Sequence, residues 1–171
     1  LVASVCLMTL ALADQQRRTP NTLTPKEREA GWKLLFDGKT TTGWRGYRKE
    51  KLPDGWQVKD GALTRVGKGG DIIYEEAFED FVFKFDWKIA PNGNSGVFYR
   101  VDDSLGAPYL TGPEYQILDN NSTKYGDAKI DTNIAGSNYG LHESDRDAVK
   151  EPGKWNKGRI VVKGNHVEHW L

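Results

Sequence analysis

The chain has 171 residues, which is long enough for one domain that buries its own hydrophobic core. Its 24 basic and 24 acidic residues cancel, so partners held mainly by charge, such as nucleic acids or anionic membranes, are not expected. Nineteen glycines, six Trp, seven Tyr and six Phe predict many turns and flat side chains, as is typical of an all-β domain.

The first thirty residues predict a targeting segment followed by a linker. Residues 1–13 are apolar and uncharged and end in Ala-Leu-Ala, which predicts part of a secretory signal peptide rather than a buried core segment. Because Cys6 lies in this run, the mature chain would lack cysteine. We therefore expect a secreted or periplasmic protein without disulfides and without membrane insertion after signal removal. Residues 14–30 predict a polar linker and one short helix, in which Thr24 and Glu27 form a capping box.

Residues 31–171 predict a jelly-roll β-sandwich built of short strands. The apolar run at 32–36 predicts the first strand, and a hairpin follows around the turn Asp60-Gly61. Residues 81–87 alternate aromatic and other side chains and give the clearest half-buried strand. The last predicted strand has no turn or partner after it, so we expect the natural chain to continue further.

Two predicted strands in the middle of the chain carry polar side chains that could bind a ligand. Alternation places Phe98 and Arg100 on one face of the first strand, and Glu114 and Gln116 on one face of the second. If these faces align, a ring, a guanidinium, a carboxylate and an amide converge. Because unpaired polar groups are costly to bury, such a patch predicts a site for a sugar-sized ligand.

Glu114 is the candidate catalytic carboxylate, and Arg100, Gln116 and His142 are the other candidate catalytic residues. Each has a structural alternative, because Glu114 and Arg100 could form a surface ion pair and His142 could be a surface histidine in a long polar loop. The candidate substrate-binding residues are Asn94, Phe98, Asp119, Tyr139 and Asp71. The acidic and amide members of this set also suit turns, since they lie beside glycines or at strand ends.

Metal-binding patterns are weak in this sequence. His166 and His169 are three residues apart in a predicted strand, so they would point to opposite faces and make a poor metal pair. No His and Cys cluster has the spacing of a zinc site.

Several motifs follow one another in an order that resembles a known family. They are Trp-Lys-Leu-Leu-Phe-Asp-Gly-Lys at 32–39, Trp-Gln-Val-Lys-Asp-Gly-Ala-Leu at 56–63, Gly-Asn-Ser-Gly-Val-Phe-Tyr-Arg at 93–100, Gly-Pro-Glu-Tyr-Gln-Ile-Leu-Asp-Asn at 112–120 and the final His-Trp-Leu. From residue 31 onward the chain resembles the 3-keto-disaccharide hydrolase domain family. The resemblance implies a concanavalin A-like jelly roll and an exported bacterial protein.

The resemblance also implies a reaction on a 3-keto-disaccharide or another 3-keto-glycoside. A ketone at C3 acidifies the C2 hydrogen, so a base can remove that proton, the enolate can expel the oxygen at C1, and water can add back. Glu114 would be the base. Arg100 and Gln116, or a divalent metal ion held partly by acidic side chains, would stabilise the enolate, and His142 or Tyr139 would be the acid.

The sequence is also compatible with three alternatives. A direct two-carboxylate glycosidase would depend on the separation of its carboxylates. A non-catalytic carbohydrate-binding module of the concanavalin A-like lectin and glucanase fold would bind sugar without turnover. A structural domain of the cell surface would show no saturable sugar binding.

Overall fold

Residues 19–171 are described in the computed structural model. The predicted signal peptide, with Cys6, and the first residues of the predicted linker lie outside this range. Within it, no helix is long and apolar enough to cross a membrane. The chain divides into two units, one made of residues up to Thr42 with Asp54–Gly69, and one made of Gly43–Pro53 with Gly70–Leu171.

The described residues form mostly short strands. In chain order the elements are α1 (Pro25–Glu29), β1 (Trp44–Gly46), β2 (Trp56–Lys59), β3 (Ala62–Arg65), β4 (Ile72–Tyr74), β5 (Phe81–Trp87), β6 (Asn94–Phe98), β7 (Glu114–Leu118), β8 (Asn156–Lys163) and β9 (His166–Trp170). These strands all pair in antiparallel fashion. The predicted all-β class with one short N-terminal helix is confirmed.

The first unit contains α1 and the β2–β3 hairpin. The Glu27 N–H donates to the Thr24 hydroxyl at 3.2 Å and the Thr24 N–H donates to the Glu27 carboxylate at 2.9 Å, so the predicted capping box is confirmed. Asp60 and Gly61 have φ values of 50° and 72°, the left-handed backbone that the predicted two-residue turn requires. The strand predicted at 32–36 is wrong, because none of the ladders among the described residues includes this run.

The second unit is a sandwich of antiparallel sheets. One sheet has the order β5-β8-β9, and β6 pairs with β7 in another, while β1 pairs with β4. The Phe85 ring of β5 meets the Tyr115 ring of β7 edge-on, with 5.3 Å between ring centroids. Tyr115 and Ile160 are fully buried in the shared core, which holds the two sheets face to face.

The alternation predicted for β5 is confirmed, because its exposed and inward-facing residues take turns along the strand. The inward face of β5 comes very close to the neighbouring strand β8 at one position. A Cβ at Gly158 of β8 would lie 2.4 Å from the Phe85 ring, so only glycine leaves room for that ring.

A short segment, residues 136–139, pairs with β7 through backbone hydrogen bonds, and we term it the strap. The Gln116 N–H donates to the Ser137 carbonyl at 3.1 Å, and the Tyr139 N–H donates to the Glu114 carbonyl at 3.0 Å. An isolated bridge joins Tyr115 and Asn138 between these bonds. The strap therefore extends the β6–β7 sheet by a third antiparallel segment, in a region for which the sequence predicts only a long loop.

Candidate functional site

Three of the predicted site residues form one row across the sheet. Phe98 is the register partner of Glu114 in the β6–β7 pairing, and Tyr139 lies opposite Glu114 on the strap. Directly opposed residues of an antiparallel sheet share a face. Phe98 and Glu114 are half-buried, and Tyr139 is 37% exposed. The Glu114 row (Phe98, Glu114 and Tyr139) thus has its acidic residue between two aromatic residues on one face of the sheet.

The Glu114 side chain lies back over Gly96 of the neighbouring strand. A Cβ built on Gly96 would come within 1.8 Å of Glu114 Oε1 and 2.7 Å of its carboxyl carbon. Real Cβ contacts do not reach such distances, so the glycine creates the space in which the carboxylate rests. The sequence contains this signal, because a glycine inside a strand often marks a close approach.

Gln116 lies on the predicted face but is not accessible. It is 1% exposed, and its amide oxygen accepts the Ile117 N–H at 2.9 Å. Leu118, further along the same face, is fully buried. On β7 the accessible part of this face therefore ends at Glu114, and Gln116 supports the row from within the protein.

Arg100 does not follow the predicted alternation. β6 ends at Phe98, and Arg100 has a φ of 56°, a left-handed conformation that interrupts the strand geometry. Its guanidinium donates to the Gly164 carbonyl in the turn between β8 and β9. The prediction that Arg100 shares the Glu114 face is therefore wrong, and its catalytic role stays a prediction without that support.

His142 lies at the end of a tight turn that follows the strap. Its backbone pairs with that of Asn138, and its Nδ1 lies 3.4 Å from the Asn138 side-chain nitrogen. Asn138 is itself opposite Tyr115, whose side chain faces the sandwich core. His142 therefore belongs to the row beside the Glu114 row, which faces the other side of the sheet, while Tyr139 shares the face of Glu114.

The remaining predicted binding residues are spread along the second unit. Asp119 is 6% exposed, and its carboxylate accepts the N–H groups of Asn92 at 2.8 Å and Asn121 at 3.0 Å. These contacts match the turn-forming alternative. Asn94 is exposed at the start of β6, and Asp71 is exposed immediately before β4. The row thus unites Phe98 and Tyr139 with Glu114, but not these three residues.

A half-buried histidine, which the sequence analysis considered only as a metal ligand, contacts the strap. Nδ1 of His169 lies 3.3 Å from the carbonyl oxygens of both Gly136 and Ser137, and Nε2 lies 3.1 Å from the Tyr99 hydroxyl. Burial lowers the pKa of His169, although its hydrogen bonds to the two carbonyls oppose this change and nearby His142 adds to it. Burial also raises the pKa of Tyr99 and raises the pKa of Tyr115 to about 12.

No metal-ligand set accompanies the row. Among the side chains that the structure describes, no group of three or more from His, Cys, Asp or Glu could hold a metal ion. His166 and His169 face opposite sides of β9, as predicted, because His166 lies 3.0 Å from Glu168 on the outer side and His169 contacts the core. A hollow of about 360 Å³ lies along residues 120–129, and none of the predicted catalytic residues lines it.

A family model and a curated relative assign this chain to the same family. A family model described as a 3-keto-alpha-glucoside-1,2-lyase-like domain matches residues 31–171. A curated protein of Bacteroides thetaiotaomicron named 3-keto-disaccharide hydrolase is 35% identical over 161 residues, which cover 81% of this chain and 55% of that protein. The chain therefore spans about half the length of this curated relative.

Two crystal structures of Parabacteroides distasonis proteins, both described as candidate glycosyl hydrolases, share the fold. One has a TM-score of 0.81 at 37% identity and covers 88% of this chain and 72% of that chain. The other has a TM-score of 0.61 at 29% identity and covers 74% of this chain and 66% of that chain.

Proposed function

The chain belongs to the 3-keto-alpha-glucoside-1,2-lyase-like domain family, and we propose that it carries the catalytic base of an enzyme that cleaves 3-keto-disaccharides or other 3-keto-glycosides. The observation that carries this proposal is the Glu114 row. Its carboxylate lies over Gly96, and Glu114 is opposed on either side by Phe98 and Tyr139. A sugar ring placed on Phe98 would present its C–H groups to this carboxylate.

The first step is removal of the C2 proton by the Glu114 carboxylate. The C3 carbonyl accepts the electron pair of the broken C–H bond and becomes an enolate, with the proton now on Glu114. This step is available only to substrates with a ketone at C3, because an ordinary glycoside has no comparably acidic C–H bond.

The second step expels the aglycone oxygen from C1. The enolate electrons return to the C3 carbonyl and form a C1–C2 double bond as the C1–O bond breaks, while an acid protonates the leaving oxygen. We assign the acid to Tyr139 rather than His142, because Tyr139 shares the face of Glu114. Water then adds, with its hydroxyl on C1 and a proton on C2, so the net reaction is hydrolysis. The described residues offer no metal-ligand set, and no step is assigned to a metal ion.

Export remains part of the proposal, and its support is the apolar, uncharged run at residues 1–13. Cell fractionation together with the N-terminal sequence of the processed protein tests it. Protein that stays in the cytoplasm with residues 1–13 still attached would contradict it.

The test of function uses the whole protein with matched 3-keto-glucosides and ordinary glucosides. We expect sugar release from the 3-keto substrates alone. Glu114→Gln should lower kcat on the order of 100-fold or more, since it removes the base and keeps the shape. Glu79→Gln is the matched control, because Glu79 is exposed in the turn that precedes β5.

A binding module is the alternative that this assay separates. It would show saturable binding of sugar with no release, and Glu114→Gln would leave that binding nearly intact. Release from both substrate types at similar rates would instead indicate a direct displacement at C1 and would contradict the proposed elimination.

A further inference from the structure

The half-buried His169 ring packs against two tyrosine rings. It lies 5.0 Å from the Tyr115 ring and 5.6 Å from the Tyr99 ring, measured between centroids. Both ring nitrogens have partners, which are the Gly136 and Ser137 carbonyls for Nδ1 and the Tyr99 hydroxyl for Nε2.

The partners fix the tautomer of this histidine. Backbone carbonyls only accept hydrogen bonds, so Nδ1 must carry the hydrogen. Nε2 of the neutral ring is then an acceptor, and the Tyr99 hydroxyl donates to it. The lowered pKa of His169 agrees with a neutral ring in this environment.

Both carbonyls that receive Nδ1 belong to the strap. The Ser137 carbonyl also accepts the Gln116 N–H at 3.1 Å, and the Gly136 N–H donates to the Gln116 carbonyl at 2.8 Å. The strap is therefore bonded to β7 along one edge and to His169 of β9 at its start. Two residues later it carries Tyr139, which lies opposite Glu114.

We propose that His169 is a positioning residue: by bonding the Gly136 and Ser137 carbonyls, it fixes the strap so that Tyr139 is held beside Glu114. His169 does not touch substrate, and its effect passes through the strap backbone. The expected effect of His169 on kcat rests on the proposed function, whereas its expected effect on the order of the strap does not.

A purely structural role predicts that ring volume matters, while the positioning role requires a donor where Nδ1 lies. His169→Leu keeps an apolar side chain and removes the donor. His169→Asn has a side-chain N–H near the Nδ1 position and can bond the same carbonyls. His166→Leu is the matched control, because His166 is on the same strand, faces the other side and has a side chain that is 67% exposed.

The experiment measures kcat and KM for a 3-keto-glucoside together with hydrogen exchange at the amides of Gln116 and Tyr139. For His169→Leu we expect kcat to fall on the order of tenfold or more, KM to stay within about twofold, and both amides to exchange faster. His169→Asn should restore most of kcat and most of the protection. If His169→Leu and His169→Asn give the same kcat and the same exchange, the proposal is overturned.

Two further outcomes are distinguishable. If the wild-type protein releases no sugar, the proposed function fails, and the exchange data still decide whether His169 holds the strap. If His169→Leu does not fold, Tyr99→Phe removes the Nε2 partner and keeps nearly the same volume. Faster exchange at Tyr139 in that variant supports the proposal, and unchanged exchange contradicts it.

Discussion

Gly96→Ala should lower the catalytic rate and leave the stability of the fold nearly unchanged. The added Cβ would come within 1.8 Å of Glu114 Oε1, so the carboxylate would have to move by about 1.5 Å to reach an ordinary contact distance. A displacement of about 1 Å in a catalytic group can cost on the order of 100-fold in rate. We therefore expect kcat on a 3-keto-glucoside to fall by that factor.

The fold should tolerate this change. The atoms that meet the new Cβ belong to the flexible Glu114 side chain, from Cγ outward, rather than to backbone. Gly96 is not among the positive-φ glycines, and alanine in such a position restricts the unfolded chain, which favours folding by about 0.4–1 kcal/mol. The gain offsets much of the strain, so Tm should shift by no more than about 4 °C.

Steady-state kinetics and calorimetry of the same preparation measure both effects. Gly106→Ala is the control, because a Cβ at Gly106 meets no atom within 4 Å. Full activity in Gly96→Ala would refute the reasoning, since the carboxylate would then not need its place over Gly96. A large loss of Tm would show instead that the substitution disturbs the sheet.

Further predictions concern Tyr139, Arg100 and His169. Tyr139→Phe should lower kcat on the order of 100-fold, because it removes the proton donor. The loss should be smaller for a substrate whose aglycone leaves without protonation. An equal loss of kcat for this substrate and for an ordinary 3-keto-glucoside would exclude Tyr139 as the acid. Arg100→Met removes the bond to the Gly164 carbonyl and should lower the unfolding free energy by about 1 kcal/mol in urea titrations. An unchanged Tm with lost sugar release would instead support a catalytic Arg100. Because His169 has a lowered pKa in the folded state, the unfolded chain binds its proton first as pH falls. Stability should therefore drop as pH falls below the ordinary histidine pKa, more in the wild type than in His169→Asn, and equal pH curves for the two would contradict this assignment.

The sequence predicted correctly those parts of the fold that depend on interactions between residues close together in the chain. The capping box of Thr24 and Glu27 and the left-handed turn at Asp60 and Gly61 depend on neighbouring residues alone. The strict period of two in β5 also needs no knowledge of its partner. For the same reason alternation correctly assigned Glu114 and Gln116 to one face.

The features that the sequence did not predict depend on partners far away in the chain or on backbone conformations that no local motif indicates. His169 meets carbonyls 33 and 32 residues away in the chain, so no local pattern indicates its role. The strap carries no alternation, and its place beside β7 comes from backbone hydrogen bonds to that strand. Arg100 adopts a left-handed φ although it is not glycine, and strand periodicity cannot anticipate such an interruption. The accessible site is therefore narrower than the sequence suggested, and it is centred on the Glu114 row.

Isotope incorporation tests the elimination most directly. The whole protein would cleave a 3-keto-glucoside in D₂O, and mass spectrometry and NMR would locate deuterium in the released sugar. If Glu114 removes the C2 proton and water then adds, the released sugar should carry one deuteron from solvent at C2. This amount is counted above the deuterium that the product takes up when it is incubated alone. Glu114→Gln should abolish the incorporation. Cleavage that leaves the original hydrogen at C2 would contradict the account.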